Sequence, residues 1–101
     1  LAGVDGRCAE YATYGTVALA KNAFKAMADR KAVLLANHGL LAGGTSLADA
    51  FNVIEEIEFC CEIYYRTKSI GDPVILPEDE MARMVERFKD YGKKPEEHEE
   101  I

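Results

Sequence analysis

Ala32-Val33-Leu34-Leu35-Ala36-Asn37-His38-Gly39-Leu40-Leu41-Ala42-Gly43-Gly44 is the stretch on which the fold turns. Its first five residues form a continuous apolar run of strand length, the pattern of a strand covered on both faces. Asn37-His38-Gly39 reads as a turn, and a second apolar run, Leu40 to Ala42, ends at a glycine pair. The two runs pair as a hairpin, or they continue as one strand broken by a bulge. Either arrangement sets His38 where two buried segments meet.

Helical patterns lie on both sides of this unit. Upstream, Arg7 to Ala12 reads as an extended segment that ends at Thr13-Tyr14-Gly15-Thr16. The Thr16 hydroxyl is placed to cap a helix over Val17 to Ala28, with Val17, Ala20, Phe24 and Met27 at helical spacing. Downstream, Ser46 is a second N-cap, with Asp49 in the first turn of a helix running to about Ser69. Leu47, Ala50, Phe51, Ile54, Ile57, Cys61 and Tyr64 form its apolar stripe, and Glu62 and Arg66 pair on the opposite face. Gly71-Asp72-Pro73 breaks that helix and Val74 to Leu76 makes an extended link. Pro77 with three acids then opens a third helix that ends near Tyr91-Gly92, its face formed by Met81, Met84, Val85 and Phe88. Alternation of this kind predicts an α/β or α+β domain.

The chain has 101 residues, enough for one domain or part of one. Its formal net charge of -6 disfavours nucleic acid as a partner, and the sequence has no basic stripe to neutralise phosphates. Residues 93–101 read as a polar acidic tail that also carries His98. Three cysteines, two of them adjacent, make neither a disulfide framework nor a metal knuckle, which points to a reducing cytoplasm. No apolar run reaches the ~18 to 20 residues of a membrane span, so no membrane partner is expected.

An imidazole at a strand end followed by a glycine is a common way to present a metal ligand or a base, although Asn-His-Gly alone more often describes a hydrogen-bonded structural histidine. A catalytic metal needs about three protein ligands, and the only other histidine is His98. Gly43-Gly44-Thr45-Ser46 precedes a helix but lacks a P-loop lysine and reads as a turn. Cys60 and Cys61 diverge by about 100° on a helix and read as small core residues. Tyr91, beside a glycine after the last helix, has a hydroxyl able to reach a site.

Three segments in order, CAEYATYGT at Cys8 to Thr16, ANHGLLAGG at Ala36 to Gly44 and FKDYG at Phe88 to Gly92, resemble the C-terminal half of the class II aldolase family. The likeness covers nearly the whole chain and implies part of a three-layer α/β/α domain with a largely antiparallel central sheet. Residues 1–92 would be the C-terminal part of that single domain, in a protein roughly twice as long. The family is usually homotetrameric, with sites at subunit interfaces, and holds Zn2+ on three histidines. His38 matches the third of these; the His-x-His pair and the catalytic glutamate belong upstream of Leu1. Tyr91 matches the family's C-terminal active-site tyrosine, and Tyr14 an aromatic on the aldehyde side.

The resemblance implies cleavage of a ketose 1-phosphate, L-fuculose 1-phosphate in the branch it approaches most, to dihydroxyacetone phosphate and L-lactaldehyde. The bound cation polarises the ketose carbonyl as the C3–C4 bond breaks. A 4-epimerase or dehydratase of the same fold, and a non-catalytic interaction module like the adducin head domains, are the competing readings. With one ligand of three, the isolated 101-residue chain is expected to bind zinc negligibly; stoichiometric zinc in an elemental analysis of that piece would contradict this.

Overall fold

The structure, a computed structural model, describes residue 3 and residues 5–89. Six elements follow in order: β1 (Cys8–Ala9), α1 (Val17–Ala26), β2 (Ala32–Leu35), β3 (Gly39–Ala42), α2 (Leu47–Ile70) and α3 (Glu78–Phe88). The sheet order is β1-β2-β3. β2 and β3 pair antiparallel, Ala32 opposite Ala42 and Leu35 opposite Gly39, so the hairpin is realised and the broken single strand is not. β1 pairs parallel with β2, Cys8 opposite Leu34 and Ala9 opposite Leu35. Parallel neighbours need a crossover, and α1 supplies it. The chain is mixed α/β, as expected, and its small sheet holds one pairing of each sense.

Charged side chains tie the crossover down. Arg7 Nη1 donates to the carbonyls of Ala26 (3.3 Å) and Ala28 (2.9 Å), satisfying acceptors that the end of α1 leaves open. Arg30 grips Asp5 through Nε (2.9 Å) and Nη2 (2.8 Å), with only a tenth of its side chain exposed. The helix stops at Ala26 rather than Ala28; Asp29 takes a left-handed φ of 58° and turns the chain into β2.

Packing corrects several faces. In α1 the buried residue is Ala23, while Val17 and Phe24 stand 71% and 82% exposed. The side chains turned inward are Leu19, Ala23, Ala26 and Met27. Two apolar stripes exist on this helix, and the one rich in alanine packs on the sheet, where small side chains allow close approach. In α2, Ala50 and Ile57 turn inward as expected, but the buried residue is Val53, and Leu47 is 91% exposed. The central strand is covered only in part: Ala32 and Val33 are buried, Leu34 and Leu35 half-buried. β3 alternates exposed and half-buried residues, because as an edge strand it is covered on one face only among the described residues.

Caps fall where the sequence puts them. Thr16 accepts the Leu19 amide at 3.2 Å and Ser46 Oγ accepts the Asp49 amide at 3.0 Å. Asp49 reciprocates by accepting the Thr45 amide at 3.0 Å. α3 carries Glu78, Asp79 and Glu80 in its first turn, and Met81, Met84 and Val85 turn partly inward. Ser46→Ala removes the cap of the longest helix and is expected to cost about 1 kcal/mol, read as a lower melting temperature of the full-length protein; an unchanged melting temperature would contradict the capping role.

Candidate functional site

His38 occupies the loop of the β2–β3 hairpin. Its amide donates to the Leu35 carbonyl at 2.9 Å, closing a turn in which Asn37 has φ 64° and Gly39 φ 157°. Asparagine tolerates the left-handed region better than other side chains, and glycine adopts the second conformation without strain. The motif Asn-His-Gly is therefore shaped by the hairpin, and it leaves the imidazole exposed rather than enclosed between buried segments.

Parallel pairing determines what surrounds the ring. The Leu34 amide donates to Arg7 (2.8 Å) and the Ala36 amide to Ala9 (3.3 Å), so the carboxyl ends of β1 and β2 leave the sheet side by side. The chain leaving β1 consequently crosses His38. Tyr11 stacks on the imidazole with ring centroids 5.3 Å apart and planes inclined by 16°. His38 Nε2 lies 2.9 Å from the Ala12 carbonyl oxygen. A carbonyl can only accept, so Nε2 carries a proton, and in the neutral ring Nδ1 keeps the lone pair. No described residue hydrogen-bonds to Nδ1. A histidine anchored by one N–H on a backbone carbonyl, with its other nitrogen bare, is the arrangement metal-binding histidines adopt.

That donor chemistry fits a divalent metal but does not complete a site. Among the described residues there is no cluster of three or more His, Cys, Asp or Glu side chains able to hold an ion. His38 supplies one ligand from this chain. Tyr14 lies two residues past Ala12, in a turn where Gly15 has φ 73° and the Thr16 hydroxyl donates to the Thr13 carbonyl at 2.6 Å. Its side chain is 80% exposed, on the segment that also carries the clamp on His38. Tyr91 and residues 93–101, including His98, lie outside the described residues.

Sequence reasoning missed Tyr11 and the Ala12 carbonyl. The tyrosine stood in view within the CAEYATYGT segment, but its place over His38 follows from the β1–β2 register, and a backbone carbonyl leaves no trace in composition. Other candidates resolve as structure. At the start of α2 the Thr45 amide goes to Asp49 Oδ2 and the Asp49 amide to Ser46 Oγ, so these side chains act as helix caps. Glu62 and Arg66 form the expected exposed ion pair at 2.8 Å. Cys60 and Cys61 are exposed rather than core residues. They sit on the rim of a cleft shared with Val33, Ile57, Ile75 and Met81, because the outer turns of α2 lack a covering layer among the described residues. Partial burial, then the charge of Glu58 and the neighbouring Cys60, push the Cys61 thiol up, which keeps it protonated and unreactive at neutral pH.

The chain belongs to the family described as Class II Aldolase and Adducin N-terminal domain, whose profile matches residues 1–65. It is 59% identical over 91 residues to 5-deoxy-D-ribulose 1-phosphate aldolase of Bacillus thuringiensis serovar kurstaki, covering 90% of this chain and 43% of that protein. It is 42% identical over 91 residues to L-fuculose phosphate aldolase of Escherichia coli strain K12, covering 89% of this chain and 42% of the relative. A solved structure of an L-fuculose 1-phosphate aldolase superposes with a TM-score of 0.85 at 60% identity, over 87% of this chain and 42% of that one. The fold is thus that of the class II aldolases, and the chain spans about two-fifths of the length of the relatives it matches.

The geometry of His38 is open to a direct check. In the metal-free full-length protein, nitrogen NMR of the labelled imidazole is expected to show the tautomer protonated at Nε2; the Nδ1-protonated tautomer would contradict the bond to Ala12.

Proposed function

We propose that the protein carrying this chain is a metal-dependent aldolase that cleaves the C3–C4 bond of a ketose 1-phosphate to dihydroxyacetone phosphate and a short aldehyde. The observation that carries this reading is His38, with Nε2 held by the Ala12 carbonyl, in a chain that shares its family with class II aldolases and adducins and resembles proteins named as aldolases. Residues 1–92 form the C-terminal part of the single catalytic domain, and residues 93–101 its acidic tail.

The two substrates named for the relatives share one chemistry. L-fuculose 1-phosphate and 5-deoxyribulose 1-phosphate are both ketose 1-phosphates that end in a methyl group, and cleavage releases L-lactaldehyde from the first and acetaldehyde from the second. L-fuculose 1-phosphate is supported by the solved structure at 60% identity, and the five-carbon sugar by the relative at 59%. The enzyme accepts this methyl-ended class.

His38 would be one ligand of the metal, Zn2+ in this reading, and a bound divalent cation polarises the ketose carbonyl. The ring's anchoring on Ala12 holds its ligand nitrogen in place before substrate arrives. Tyr91 would hydrogen-bond to the oxygen on C4, whose proton passes to a general base as C4 becomes the aldehyde carbon. Tyr14, exposed beside the clamp, packs against the aldehyde end.

Assembly and location follow the same reading. Phe59, Tyr65 and Ile70 on α2 are 62%, 75% and 90% exposed, which supports burial by the rest of the domain and by neighbouring subunits of a homotetramer. Three free thiols support a reducing compartment, the cytoplasm. No described helix is long and apolar enough to cross a membrane.

The test is release of dihydroxyacetone phosphate by the full-length protein from both sugars. Cleavage is expected to stop on chelation and return with zinc. His38→Ala is expected to lower kcat/KM by more than about a hundredfold, since removing even the group behind a ligand typically costs about ten- to a hundredfold. Epimerisation of ribulose phosphate without cleavage, or a protein that neither cleaves nor retains metal, would overturn the proposal in favour of an epimerase or an adducin-like module.

A further inference from the structure

We propose that Tyr11 is a positioning residue for the metal site: its ring and the adjacent Ala12 carbonyl form a two-point clamp that fixes the plane and the in-plane rotation of the His38 imidazole. The inference rests on the reading of His38 as a metal ligand and deepens it.

An imidazole on a hairpin loop has two free torsions. The bond from Nε2 to Ala12 at 2.9 Å restrains rotation within the ring plane but leaves the ring able to tilt about that bond. Tyr11 removes the remaining freedom, because a parallel ring 5.3 Å away at 16° blocks tilting on one side. The two restraints come from consecutive residues, so one segment delivers both. That segment is held in turn by the parallel ladder that joins Arg7 and Ala9 to β2.

Burial argues against a core role for this tyrosine. Tyr11, two residues past the end of β1, is 56% exposed, and the buried residue of β1 is Ala9, at 2% exposure. A side chain that contributes little to the core, yet lies parallel on the one described histidine, acts on that histidine. The phenol hydroxyl takes no part in the stack, so phenylalanine should replace tyrosine and an aliphatic residue should not.

The experiment compares Tyr11→Phe and Tyr11→Leu in the full-length protein by two readouts besides activity. In the metal-free protein, the carbon-bound ring protons of His38 are expected upfield from the ring current of Tyr11, retained in Y11F and lost in Y11L. Zinc affinity, measured by competition with a chelating dye, is expected to stay within about twofold in Y11F and to fall about tenfold or more in Y11L, the scale seen when the support behind a metal ligand is removed. The melting temperature of both variants is expected to stay near that of the parent. Parent-like His38 shifts and zinc affinity in Y11L, or an equal loss in Y11F, would overturn the proposal. His38→Ala measured alongside separates the two readings: undiminished zinc there overturns the ligand assignment, and the ring-current comparison still decides whether Tyr11 orients the ring.

Discussion

The parallel pairing of β1 with β2 is the constraint on which the site depends. It consists of few hydrogen bonds, with Leu34 donating to Arg7 and Ala36 to Ala9, yet it sets two chain segments leaving the sheet in the same direction. His38 rises from one and Tyr11 and Ala12 from the other. Functional groups in open α/β sheets collect outside the carboxyl ends of parallel strands for this reason. An antiparallel β1 would send its following segment to the opposite edge, leaving His38 with a bare ring on a solvent-exposed hairpin. Arg7 and Arg30 reinforce the pairing by fastening the approach to β1 onto the end of α1 and the turn into β2.

Much of the architecture was legible in the sequence because it is encoded locally. Thr16 and Ser46 cap the helices they announce, and the Asn37-His38-Gly39 turn closes the hairpin, one of the two arrangements that the flanking apolar runs allow. Helix faces were harder, since α1 bears two apolar stripes and only packing chooses Ala23 over Phe24. The same ambiguity let Val53 escape notice and assigned the thiols of Cys60 and Cys61 to a core that does not enclose them.

For the candidate site, residue type and position single out His38, and the family resemblance raises it to a metal ligand and adds Tyr14. Tyr11 was not found, because its place over His38 is a consequence of register between strands separated by a helix. The Ala12 carbonyl could not be found at all, since every residue carries one. Long-range pairing and backbone acceptors are the two kinds of information that a linear pattern hides. The exposed apolar residues of α2 pose the same difficulty, since a linear pattern marks them as a face to be covered and the described residues leave them open.

The account stands or falls on whether the segment after β1 lies over the hairpin histidine. Nuclear Overhauser spectroscopy on the full-length protein, with tyrosine and histidine selectively labelled, measures this most directly. Cross-peaks between the ring protons of Tyr11 and those of His38 are expected from centroids 5.3 Å apart. Spectra in which both rings are assigned and no cross-peak joins them would contradict the stack, and with it the origin of the site in the parallel pairing.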